Sequence, residues 1–238
     1  MSDLLDLRRR LVSDLHSRQQ HDNSSEHSLM PASTPIARSK TAALARVLDV
    51  IPKGYYRYTQ GTVSASKAES LARKFHLRYG IGCTPAQRVT KRKRGLANAL
   101  LVMFWPEGCL QVQWLMLATD GDGMDGERLL SIAEKPRAVW LGYELVRRPE
   151  RGRTAWTWRR TSSEMAEHHA LIAEFSNKRY ANSLGALLQR LANQPGFHGV
   201  REQSKRLFDE VRRCGYAGDL PSLYYVQKVA HGERLRLV

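Results

Sequence analysis

The chain is 238 residues long and 42% hydrophobic, enough to bury a sizeable core, which excludes a wholly disordered protein. Its 38 lysines and arginines against 23 acidic side chains leave a formal charge of +15, the balance of a protein that meets a polyanion. No apolar run approaches the roughly 20 residues of a membrane helix, so no membrane partner is expected.

Residues 1–50 read as an N-terminal arm. The opening MSDLLDLRRR has acids ahead of its basic cluster and is not patterned as a secretory signal. Leu4, Leu5, Leu7, Leu11, Val12 and Leu15 allow a short amphipathic helix over residues 1–15. Residues 16–40 are polar, hold two prolines and lack any hydrophobic period, so they are expected to be a flexible linker. Residues 41–50, TAALARVLDV, suit a helix that stops before Pro52. Cys83, Cys109 and Cys214 are odd in number and far apart, which argues against a disulfide scaffold and for a reducing cytoplasm.

Residues 51–160 read as a basic antiparallel-sheet domain. GYYRYTQGTV at 54–63 is aromatic and Thr-rich, as strands are. Ser66 and Glu69 have capping-box spacing ahead of a helix to about residue 79, with Ala68, Leu71, Ala72, Phe75 and Tyr79 on one face. Apolar runs at 97–105 and 110–118 flank Pro106-Glu107-Gly108 and predict a hairpin. The acidic loop DGDGMDGE at 120–127 precedes an expected short helix around 128–134. A strand at 138–148 then pairs with another at 154–160. Strand, helix, strand, strand, helix, strand, with one added strand, is the order of an α+β, ferredoxin-like (split βαβ) antiparallel sheet. Residues 161–238 read as C-terminal helices packing on the sheet. Thr161 and Glu164 open the first, and helices at 183–193 and 200–213 form a helical hairpin across QPGFHG.

Charge is unevenly distributed. Residues 51–118 carry 11 basic and 2 acidic side chains, net +9, against +1 for residues 1–50 and +5 for residues 119–238. Charge needed only for solubility would be spread more evenly. Lys91, Arg92, Lys93 and Arg94 are the sharpest signal, because four successive cations gain nothing from a core and must face water or an anion. In a loop between the first helix and the second strand they would grip phosphates and release counterions. Arg57, Lys74 and Arg78 belong to the same segment. Arg147, Arg148, Arg151, Arg153 and Arg160 lie on the later hairpin. Tyr56 and Trp158 are candidates for stacking bases. Trp156 and Trp158 share parity on their strand, so they are either core residues or a stacking platform.

Catalytic signals are sparse. His76, beside Lys74 and Arg78, is the candidate general base for RNA cleavage through a 2′-hydroxyl. Asp120, Asp122 and Asp125 cluster as hard-cation ligands do, but Met124 stands where an EF-hand needs an acid, so a solvated turn is favoured. Zinc, paired-histidine, Walker and Gly-x-Ser-x-Gly spacings are lacking, and no metal or cofactor is expected.

The stretches GYELVRRPERGRTAWTWRR (142–160) and NQPGFHGVREQ (193–203) resemble segments of accessory proteins of conjugative plasmids and integrative elements. The resemblance covers about 30 residues, carries no catalytic motif and implies a role in plasmid replication, transfer or its control. The expected function is therefore a nucleic-acid-binding accessory protein of a mobile element. RNA or single-stranded DNA is placed ahead of duplex DNA, and a protein complex is a further partner class. A metal-independent endoribonuclease similar in outline to CRISPR RNA-processing nucleases is one alternative. A protein inhibitor of conjugation or replication machinery is another.

Overall fold

The computed structural model describes residues 33–150, 153–225 and 233–236. The helix expected over residues 1–15 lies outside them, as does most of the expected linker. Its last part is not a linker: Ser33–Ala37 forms strand β1, seated parallel to a later strand through Ile36 and Ala37. Both are almost fully buried, which offsets the ordering cost that the polar composition suggested.

Helix α1, Lys40–Val50, follows at once. Ser39 caps it by accepting from the Ala42 amide at 3.1 Å, and Ala43, Leu44, Val47 and Val50 form its buried stripe. A single 3₁₀ turn at Ile51–Lys53 ends on Gly54, whose φ of 94° needs glycine. Strand β2, Arg57–Ser64, leads to helix α2, Ala68–Tyr79, which buries Ala68, Ala72, Phe75 and Tyr79. Phe75 meets Trp114 edge-on at 5.3 Å between ring centres. Helix α3 is Pro85–Lys93. Strands β3, Ala99–Phe104, and β4, Gln111–Ala118, make the expected hairpin.

No helix forms around residues 128–134. Leu130–Ser131 is instead a short strand, β5, paired with Arg57 and Tyr58 on the open edge of β2. One or two turns of helix are marginal alone, whereas pairing covers the open edge of β2, and the Ile132 amide donates to the Tyr56 carbonyl beside it at 2.9 Å. The sheet runs β5-β2-β4-β3-β1-β9, where β9 is Arg234–Arg236, antiparallel to β1.

The 138–160 region builds a second sheet rather than extending the first. The expected strand at 138–148 is broken into β6, Val139–Trp140, and β7, Tyr143–Glu150, by a two-residue turn at Leu141 and Gly142. Both turn residues have positive φ, 53° and 89°, the combination that suits a tight hairpin. Strand β8, Arg153–Arg160, completes the order β6-β7-β8. Helix α1 lies in the core between the sheets, its Leu44 and Val47 sharing one cluster with Leu100 and Leu115 of the first sheet and Leu145 and Trp158 of the second.

Three C-terminal helices follow: α4, Ser162–Asn177; α5, Ala181–Ala192; and α6, His198–Arg213. They share a cluster of Ile172, Leu188, Leu191, Leu207 and Val211. Helix α6 reaches β8 through Gly199, whose amide donates to Thr157 Oγ1 at 3.1 Å. A Cβ at Gly199 would stand 2.6 Å from the Trp158 carbonyl oxygen, so only glycine permits this approach. No described helix is long and apolar enough to cross a membrane.

Candidate nucleic-acid interface

The four-cation run is helical, not a loop. Thr84 Oγ1 accepts from the Gln87 amide and Gln87 Oε1 accepts from the Thr84 amide, a complete capping box with Pro85 in the first turn. Lys91, Arg92 and Lys93 form the last turn of α3, where cations meet the negative end of the helix dipole, and Arg94 follows as its cap. Helical geometry also turns successive side chains about 100° apart, which relieves their repulsion. Lys91 Nζ donates to the Tyr79 carbonyl at 2.9 Å, tying α3 to the end of α2. Arg92, Lys93 and Arg94 are exposed.

Arg88 and Arg92, one turn apart, face another way. With Arg46 of α1, Lys53 of the 3₁₀ turn and Asn98 they line a groove of about 230 Å³ whose apolar wall includes Tyr55 and Leu100. Among the described residues no carboxylate lines it. Among the described residues none of Arg46, Lys53, Lys74, Arg78, Arg88, Lys91, Arg92, Lys93 or Arg94 is in a salt bridge. A larger cleft of about 840 Å³ beside α4 and α5 holds two cations, Lys40 and Arg190, with one carboxylate, Glu164, which itself faces Arg160 and His168.

Around α2 the expected site residues are partly engaged. Arg57 pairs with Asp120 at 3.0 Å, leaving Tyr56 beside it as an exposed ring. The Arg78 guanidinium lies 5.6 Å from the Tyr79 ring centre, and Lys74 lies 5.9 Å from that of Phe75. Tyr79 donates to Glu127 at 3.1 Å, and burial, then the Glu127 charge, raises its hydroxyl above the ordinary tyrosine value. The acidic loop is thus laid against α2, with Asp120, Asp122 and Asp125 exposed on it. Among the described residues no three His, Cys, Asp or Glu side chains are grouped to hold a metal ion. His76 is half-buried at the end of α2, its Nδ1 3.4 Å from the Gly82 amide.

The later hairpin requires two corrections. Trp158 is 0% exposed and donates Nε1–H to the Leu44 carbonyl at 2.9 Å, so it is core and stacks no base. Arg160 is also 0% exposed and meets no ligand. Its guanidinium donates to Gln194 Oε1, the Val200 carbonyl and Ser204 Oγ at 2.6, 3.1 and 2.8 Å. Both point to the face covered by α1 and α6, which alternation along β8 imposes on residues of equal parity. Burial lowers the Arg160 pKa. Burial also pulls Glu164 upward, but His168, 3.6 Å away, and the Arg160 charge outweigh it and hold the carboxyl below its usual value. Tyr143, opposite Arg160 in the ladder, is pushed up to about 12 by burial, with the Glu164 charge adding.

Other hairpin arginines are occupied or undescribed. Arg147 covers the Trp156 ring at 4.8 Å, and Arg148 is half-buried with its own partner. Arg151 lies outside the described residues, and only the backbone of Arg153 is described, in β8. The cationic surface therefore centres on α3. Arg46, Lys53, Arg88 and Asn98 were missed from sequence because the fold gathers them from three separate segments. The one local clue was Thr84-x-x-Gln87, which would have placed Arg88 and Arg92 on one helical face.

No family model, no curated protein and no solved structure matches the chain.

Proposed function

We propose that the chain is a nucleic-acid-binding accessory protein of a mobile genetic element, holding the phosphate backbone of RNA or single-stranded DNA. One observation carries this reading: at the end of α3, Arg92, Lys93 and Arg94 are exposed and have no acidic partner among the described residues. Like charges held this close are relieved by a polyanion, which releases its counterions on contact. Tyr56, exposed beside Arg57, is the ring for stacking a base. The mobile-element part rests on the resemblance of residues 142–160 and 193–203. The order β2-β4-β3, with α2 and α3 between β2 and β3, supports reading that part of the sheet as a split βαβ unit.

The test is binding of a fluorescent single strand across a salt series by wild type and an Arg92→Ala, Lys93→Ala, Arg94→Ala variant. The slope of log affinity against log salt should fall by roughly 0.7 for each lost contact. An unchanged slope and affinity would remove the reading. Cleavage of structured RNA in EDTA that His76→Ala abolishes would replace it with the endoribonuclease alternative.

A further inference from the structure

We propose that the groove between α1 and α3 is a site for a phosphomonoester, supplied by the phosphorylated end of a nucleic-acid strand. The inference deepens the nucleic-acid reading and takes its source of phosphate from it. Its own basis is the groove. Arg46, Lys53, Arg88 and Arg92 reach one concavity of about 230 Å³ that has no carboxylate among its described lining residues. A backbone phosphodiester carries one negative charge and continues on both sides, so it suits cations strung along a surface such as the end of α3. Four cations around one small concavity suit charge concentrated on one group. A phosphomonoester supplies that, with about −1.5 to −2 at pH 7 and three acceptor oxygens.

Unsatisfied polar atoms point the same way. Arg46 Nε and Arg88 Nε are buried with no hydrogen-bond partner among the described residues. Buried donors left in that condition are costly, and both belong to side chains that line the groove, where a phosphate supplies acceptors for guanidinium donors. Asn98 Nδ2 donates to the Arg88 carbonyl at 3.1 Å, while its Oδ1 is buried without a partner. An amide oxygen would repel an anion and accept from a hydroxyl. The group fitting both demands is a phosphate on a ribose, whose 2′-hydroxyl donates to the amide oxygen.

The experiment measures binding of the full chain to one fluorescent single strand carrying a 5′-phosphate, a 3′-phosphate or hydroxyls at both ends, at pH 7.5 and pH 5. One phosphorylated form should bind at least about tenfold more tightly at pH 7.5, the size of a few charge-assisted hydrogen bonds. That margin should shrink at pH 5, below the phosphate's second ionisation near 6. Arg46→Gln with Arg88→Gln should abolish the margin, while the hydroxyl-ended strand changes less than twofold. Lys53→Ala, at an exposed position outside the α3 run, repeats the test should the first variant fail to fold. Equal binding of all three strands, or a margin that survives both variants, overturns the proposal and leaves backbone binding standing. A nucleoside monophosphate and inorganic phosphate serve as competitors. Groove-dependent binding of either with no strand binding at all would retain the phosphomonoester site and reject its nucleic-acid source. No binding of any probe overturns both.

Discussion

Arginines in this chain divide by what surrounds them, and sequence context alone does not distinguish the two kinds. Arg160 lies in the most Arg-rich hairpin, yet it is sealed among Gln194, Val200 and Ser204. Arg160→Met should lower stability by about 3–5 kcal/mol, because it strands those buried partners, and thermal unfolding would show it. Arg92→Ala should shift stability by no more than about 0.5 kcal/mol, as exposed sites do, while weakening nucleic-acid binding. Tyr143 offers a pH test. Its folded-state pKa, about 12, exceeds the unfolded value near 10. The native state therefore favours the protonated hydroxyl, and the associated stability is full below about pH 10 and is lost as pH rises toward 12. Urea unfolding at pH 9 and pH 11.5 should show a larger loss for wild type than for Tyr143→Phe; equal losses would refute the assignment.

Among the elements, caps and turns decided how much could be read in advance. Thr161 was recognised as a cap and accepts from the Glu164 amide at 3.3 Å. Ser66 has the same spacing to Glu69, but its hydroxyl meets Ser64 instead and α2 starts without a side-chain cap. The box at Thr84 and Gln87 was hidden by Pro85 and by glycines upstream, although proline is well placed in a first helical turn. Leu141 concealed the β6–β7 turn because a positive φ is rarely given to leucine; burial of its side chain offsets the strain. Thr84→Ala should remove about 1 kcal/mol from α3. Hydrogen exchange of amides 86–93 would show faster opening there, with the β3–β4 hairpin unaffected.

At the scale of the whole molecule, α+β composition and C-terminal helices were legible because periodicity is local. The division into two sheets was not, because it depends on which strand edges meet after α1 enters the core. The basic segment was also legible, while the groove was not, since Arg46 and Arg88 converge only through packing of α1 near α3. Trp158 links α1 to the second sheet through Leu44. Trp158→Ala should destabilise by about 3–5 kcal/mol. Both sheets should still melt together, with tryptophan fluorescence and far-ultraviolet circular dichroism giving coincident transitions. Separate transitions would mean that the shared core does not couple them.

Strand β1 sits between β3 and β9, and its neighbour Arg38 pairs with Glu233, 195 residues away. That separation has a consequence in time. The β3–β4 hairpin closes a short loop and the β2–β4 ladder spans residues 65–110, but the outer edge of β1 waits for a segment that must search across most of the chain. During refolding the edge therefore stays open after the rest of the sheet has paired. An open edge recruits other strands. Aggregation during refolding should accordingly rise with protein concentration and fall when a peptide matching residues 233–236 is supplied in excess.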